Sequence, residues 1–137
     1  MKERNRGQGL LEFAVILPIL LVVVFGVFDL GRLYFSTITL TSAAREGVRY
    51  LSVYPEDVSN TIPYSNTLSV VIQEAQNSGI LITEGDISPL CPTDDSGKYC
   101  ESGGTATVSI TYEFDLILGW LLPNTIEITR GAQMVVP

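Results

Sequence analysis

Gly9-Leu10-Leu11-Glu12-Phe13-Ala14-Val15-Ile16-Leu17-Pro18 opens an apolar run that continues to Phe28, and the sixteen residues between Glu12 and Asp29 hold no charged side chain. Nearly all of them are Val, Ile, Leu, Phe or Ala, the composition of a segment that lives in hydrocarbon. Taken as helix from Leu10 to Leu30, the run reaches roughly 30 Å, about one bilayer core. The uncharged part alone is slightly short, which places its two ends at the interfaces. Glu12 stands at the mouth of the run. An unpaired acid near the bilayer centre costs about 2.5–3.5 kcal/mol on insertion scales and less towards the interface, so Glu12 calls for a partner. Pro18 brings no amide donor and crowds the carbonyl of Ala14, and a kink or loosened turn is expected there.

On the N-terminal side lie Lys2, Arg4 and Arg6, which keep this end cytoplasmic and send the rest of the chain across the membrane. Gly7 separates these charges from the run, with Glu12 the fifth residue after it. The pattern resembles the class III signal of type IV pilin-like proteins, in which a prepilin peptidase cuts after the glycine. The mature chain would then begin at Gln8. Its new α-amino group, with an unperturbed pKa of about 7.7–8, is cationic at neutral pH. A carboxylate one turn along can neutralise it, within the chain or across to a neighbour, and such pairing favours one subunit register. The plainer reading has Glu12 reach for the headgroups beside Arg4 and Arg6. The joint occurrence of Gly7, Glu12, the apolar run and Pro18 favours the first. Candidate processing residues are therefore Gly7 and Gln8, and candidate register and assembly residues are Glu12, Phe13 and Pro18. An ordinary secretory signal fits less well, because the run exceeds a usual apolar core and no small-residue cleavage site follows Phe28. No second run of this length occurs, so one membrane pass is expected.

Beyond the run, Asp29 to Val53 lacks proline and keeps a helical rhythm. Leu30, Thr37, Ala44 and Leu51 recur at seven, with Tyr34, Thr41 and Val48 four residues after the first three, and these are expected to line one face. The spacing predicts one helix from about Gly9 to Val53, on the order of 65 Å long. Ala43, Ala44 and Gly47 are small enough to let another element approach closely. Arg45, Glu46 and Arg49 suit either bridges between subunits or a solvated charged face.

Three stretches together, Gly9 to Pro18, Phe25-Gly26-Val27-Phe28-Asp29-Leu30-Gly31-Arg32 and Ala43-Ala44-Arg45-Glu46-Gly47-Val48-Arg49-Tyr50, resemble the TadE-like family of tight-adherence (Tad) pilus pseudopilins. More loosely, Val108 to Phe114 and Ile126 to Met134 are similar to that family's closing strands. The resemblance implies a type IV pilus-like filament system. Its subunit is held in the inner membrane, cut by a prepilin peptidase and assembled with other copies or related pilins by an ATPase-driven platform.

The rest of the chain is small and acidic. Residues 1–50 carry six basic and four acidic side chains, whereas 51–137 carry two and eleven, which sums to the net charge of −7. An acidic body argues against nucleic-acid binding. Pro55 ends the long helix. Ser65 or Asn66 is expected to cap a short helix with a Leu68, Val71, Ile72 and Ala75 stripe, and Gly79 to stop it. Ile80-Leu81-Ile82-Thr83 is a candidate strand. Cys91 and Cys100 enclose eight residues, and in an extracytoplasmic body an isolated pair reads as a disulfide. Asp94, Asp95 and Glu101 have the oxygen chemistry of a calcium site but no calcium-loop spacing, and solvated turn residues are the favoured reading. From Ala106 to Phe114 apolar and polar residues alternate as in a half-buried strand. Ile126 and Ile128 begin another, in which a bulge at Gly131 is expected to turn Arg130 outward. The connection Leu116-Ile117-Leu118-Gly119-Trp120-Leu121-Leu122-Pro123 is unusually apolar. It suits packing under the helix, a membrane interface or a neighbouring subunit.

The absence of His removes Ser/His/Asp and Cys/His catalytic arrangements, and neither a phosphate loop nor a metal-ligand cluster is visible. The expectation is an α+β, type IV pilin-like protein: a leader over 1–7, a long helix over 8–53, and an extracytoplasmic body over 54–137 with a short helix and a mainly antiparallel sheet. Its expected role is a non-enzymatic filament subunit without cofactor or metal, in the inner membrane before assembly and outside the cell afterwards. The competing reading is an uncleaved single-pass interaction module or pilus assembly factor.

Overall fold

The computed structural model describes residues 6–59, 62–97, 99–121 and 123–137, with backbone alone for 6–8. Lys2 and Arg4 lie outside the described residues, and so do the side chains of Arg6 and Gln8. Helix α1 runs from Arg6 to Val53, unbroken through Pro18. A 3-10 turn over Pro55–Ser59 follows, then helix α2 over Ser65–Asn77 and a second 3-10 turn over Glu84–Asp86. Strands β1 (Ile87–Leu90), β2 (Thr105–Asp115) and β3 (Thr125–Val135) form an antiparallel sheet in the order β1-β2-β3. This is the α+β, pilin-like arrangement the sequence predicts.

The C-terminal half of α1 lies on the sheet, but not along the heptad face expected above. Leu30 and Tyr34 are 65% and 70% exposed, whereas Leu40, Ala43, Ala44, Val48 and Leu51 are buried. A strict spacing of seven drifts by about 20° per heptad on a straight helix, so a stripe drawn back from Leu51 has left the contact face by Leu30. The face in contact instead begins at Asp29 and passes through Leu33, Ser36, Leu40, Ala43 and Gly47.

Gly47 is where three elements converge. A Cβ built on it would stand 2.3 Å from Val71 Cγ2 of α2 and 3.5 Å from Val108 Cγ1 of β2. Val71 and Val108 are fully buried, and so are Ala43 and Ala44 just before the glycine. The absence of a side chain at 47 allows α2 and the sheet to meet the same turn of α1.

Helix α2 is not capped by Ser65 or Asn66. Its N-cap is Tyr64, in the left-handed region at φ 59°, with no side-chain cap bond. The capping carboxylate comes from the preceding 3-10 turn. Asp57, almost wholly buried, accepts the Thr67 amide at 2.8 Å, the Thr67 hydroxyl at 2.6 Å and the Asn66 side-chain amide at 2.9 Å. A carboxylate at a helix N-terminus satisfies amides that lack intrahelical partners. At the other end Gly79, at φ 80°, closes a Schellman turn: its amide reaches Gln76 O, and that of Ile80 reaches Ala75 O.

The expected strand at Ile80–Thr83 does not form. Ile80 and Ile82 bury their side chains while Leu81 faces out, but this extended segment has no sheet partner among the described residues. The Asp86 carboxylate binds the Thr83 amide and hydroxyl and turns the chain, so that pairing begins at Ile87, opposite Ile110. Nor is there a bulge at Gly131: the β2–β3 register runs without interruption from Thr105–Val135 to Asp115–Thr125. Arg130 pairs with Ile110 on the inner-face register, yet it is exposed, because β3 is an edge strand and a long side chain there can reach past the edge. Its guanidinium donates to Thr129 O at 2.8 Å.

Cys91 and Cys100 form a disulfide, both cysteines being buried. The Cys100 amide donates to Pro55 O at 3.0 Å, which ties the closed loop to the end of α1. Asp94 accepts the Ser96 hydroxyl within that loop. Among the described residues no three His, Cys, Asp or Glu side chains gather as a metal site.

Gly47→Ala is expected to destabilise the protein by about 1–3 kcal/mol, the usual cost of forcing a methyl into a packed core. Thermal unfolding in detergent measures this, and an unchanged midpoint would show that Val71 moves aside freely.

Candidate functional site

The apolar half of α1 carries almost no cover from its own chain. It is long and apolar enough to cross a membrane, and none of its most apolar window is buried. Glu12 and Phe13 are exposed, Pro18 likewise, and Glu12 has no salt-bridge partner among the described residues. The Gly7-Gln8 bond lies where only helical backbone is described.

At the boundary between the bare half and the clamped half sits Asp29, which is not among the candidate site residues expected from the sequence. It is 4% exposed. Its Oδ1 accepts the Ile117 amide at 3.0 Å and Arg32 Nη1 at 3.1 Å, and its Oδ2 accepts the Leu118 amide at 3.1 Å. The same Arg32 nitrogen donates to Asp115 O at 3.2 Å, and the guanidinium lies 4.9 Å from the centre of the Phe114 ring. A buried carboxylate is tolerable when its lone pairs are met by donors, and charge-assisted bonds of this kind are the stronger ones. The geometry fastens the 116–121 connection to the helix. Leu118 turns inward and is buried, whereas Trp120 is 74% exposed, with Leu121 and Ile117 also outward. One signal in the sequence pointed here: Asp29 falls in step with Leu33, Ser36, Leu40 and Gly47, so the body must meet it.

The three charges near the C-terminal end of α1, Arg45, Glu46 and Arg49, divide. Arg49 pairs with Glu46 one turn before it, Nε to Oε2 at 2.9 Å with a second contact from Nη2 to Oε1. The Arg49 hydrogen bond holds the Glu46 carboxyl below its ordinary range. Both groups face water, where such pairs contribute little to stability. Arg45, also exposed, lines with them an open groove of about 720 Å³, whose other wall is the Gly131–Met134 stretch of β3. Ala43, Ala44 and Gly47 face the interior of the body and are spent on its packing.

Asp29→Ala is expected to free the connection. The Ile117 and Leu118 amides should exchange hydrogen roughly tenfold to a hundredfold faster, in line with about 1.5–3 kcal/mol for bonds to a charged acceptor. Amide exchange read by mass spectrometry decides this, and unaltered protection would mean that Leu118 packing alone holds the segment.

No curated protein matches the chain, and no solved structure matches it. The family match covers 43 of the 137 residues and therefore speaks for α1, not for the sheet. Residues 7–49 match the family model described as TadE-like protein, the same family that the N-terminal sequence resembles.

Proposed function

We propose that the chain is a structural subunit, pilin or pseudopilin, of a Tad or type IV pilus-like extracellular filament. The observation that carries this reading is the uncovered half of α1. From Gly9 to Phe28 no residue of the apolar helix is buried in its own fold, and Glu12 is the single carboxylate among its exposed side chains. Lipid covers that surface before assembly, and the same half of neighbouring copies covers it afterwards.

Lipid and protein are similarly apolar, so transfer between them yields little driving force. Close packing and polar pairing must supply the preference. Cleavage after Gly7 by a prepilin peptidase creates an amino group at Gln8, and Glu12 of the same or an adjacent subunit neutralises it. Phe13 and Pro18 shape the helix surface around that pair. The leader over 1–7 stays cytoplasmic, the helix over 8–53 crosses the inner membrane, and the acidic body over 54–137 lies outside. Arg45, Glu46 and Arg49, beside their groove along β3, are positioned to meet a neighbouring body. The role is structural rather than enzymatic.

Intact masses of sheared extracellular material and of the membrane fraction test this. A sheared species beginning at Gln8 is expected. A species confined to membranes and beginning at Met1 would instead favour an anchored module or assembly factor. Glu12→Ala should leave membrane insertion intact while lowering sheared filament by roughly tenfold for each 1.4 kcal/mol of lost pairing. Normal filament yield from that variant would remove Glu12 from the assembly mechanism.

A further inference from the structure

The connection held by Asp29 reaches back along α1 towards the membrane. Leu118 Cδ1 lies 3.8 Å from the place where a Cβ on Gly26 would stand. Gly26 is three residues, or roughly 4.5 Å of helix, on the membrane side of Asp29. Beside this contact a cavity of about 460 Å³, almost wholly apolar, opens between Val23, Val27 and Leu33 of the helix and Leu116 and Ile126 of the body. The connection therefore overlaps the last two turns of the uncharged run.

That overlap restricts where the body can sit. The sixteen uncharged residues span roughly 24 Å as helix, less than the hydrocarbon core of about 30 Å. Any placement that immerses the run brings Val23 to Phe28 to the bilayer boundary on the body's side, and the connection comes with them. Its free surface suits that level. Residues 116–121 hold no charge, Ile117, Trp120 and Leu121 point away from the protein, and tryptophan favours the headgroup region. Leu116 and Leu118 of the connection line the same apolar cavity as Val27 and Leu30 of the helix, both of which are exposed.

We propose that the 116–121 connection is a membrane foot. It rests in the bilayer interface on the body's side, its occupant is lipid at the headgroup–acyl boundary, and through Asp29 it fixes the depth and rotation of the anchor relative to the body. This rests on the reading of α1 as a membrane anchor.

Trp120 is the chain's sole tryptophan and thus a built-in depth probe. The full chain is reconstituted in phosphatidylcholine vesicles at low protein-to-lipid ratio, with acyl chains brominated either near the headgroup or near the chain end. Shallow bromines are expected to quench Trp120 more than deep ones, by roughly twofold or more, as interfacial depth requires. A Trp120→Phe/Tyr99→Trp chain places the probe in the disulfide loop, tied to the far end of α1, and should be quenched by neither. Water-like emission from Trp120, unchanged by either lipid while the chain survives an alkaline wash, overturns the foot and leaves the anchor standing. Shielding that grows only with protein-to-lipid ratio also overturns it, since a second copy would then be the occupant. Release of the chain by the wash overturns the anchor reading and the foot together.

Discussion

A carboxylate at the end of an apolar helix must either stay in water or be supplied with donors, and Asp29 is supplied with three: two backbone amides and a guanidinium. The supply is non-local. Both amides come from a connection some ninety residues later in the chain, so the end of the apolar stretch is fixed by the arrival of the strand pair at Asp115. Arg32 reinforces the junction by joining Asp29 to Asp115 O while lying against Phe114. Without these donors the charge would have to turn outward, and the body would lose its hold on the last turns of the anchor.

From Asp29 onward the helix is a structural member of the body. The decisive point is Gly47, where the lack of a Cβ allows Val71 and Val108 to approach from two elements. Ser52 closes the far end, its hydroxyl 3.2 Å from Met134 Sδ on β3. Since Ile126 and Leu33 line one cavity at the near end, β3 and α1 run in the same sense, and the contact extends over most of the strand. The other helix depends on Asp57, whose carboxylate replaces the cap that Tyr64 cannot provide, at a site where a lost cap typically costs about 0.5–2 kcal/mol. A small body thus gains its order from two buried acids, one disulfide and the helix that anchors it.

What was legible in the sequence was what local chemistry dictates. The apolar run, the alternation of Ala106 to Phe114, the cysteine pair and the Gly79 stop each carry their signal within a short continuous stretch of chain. What was missed was set by partners far away or by accumulated geometry. Leu30 shares a heptad phase with Leu51 and Tyr34 with Val48, but two to three heptads of drift turn them out and bring Asp29 in. Ile80 to Thr83 has strand composition, yet only the Asp86 turn determines that pairing starts at Ile87. Arg130 looked as though it needed a bulge, since an inward cation in a central strand would. On an edge strand the same residue escapes without breaking the ladder. The Asp57 cap had no local signature, because the residues it serves lie ten positions later across a turn.

Rigid attachment at Asp29 has a consequence for movement between membrane and filament. If α1 slides or rotates, the 116–121 connection moves with it, because the Ile117 and Leu118 amides bond to Asp29, Arg32 bonds to Asp115 O just before the connection, and Leu118 packs on the helix. On the proposed reading, withdrawal from lipid therefore uncovers two surfaces at once: the bare half of the helix, and the apolar face around Trp120. The first can be covered again by equivalent helices, at little net gain or loss from transfer between similar apolar media. In the proposed filament, axial offset between subunits is constrained at both ends of the apolar stretch, by the charge at Glu12 and by the apolar surface at Trp120. Two separate constraints about one bilayer thickness apart specify a register more sharply than either alone, since a shift that restores one breaks the other.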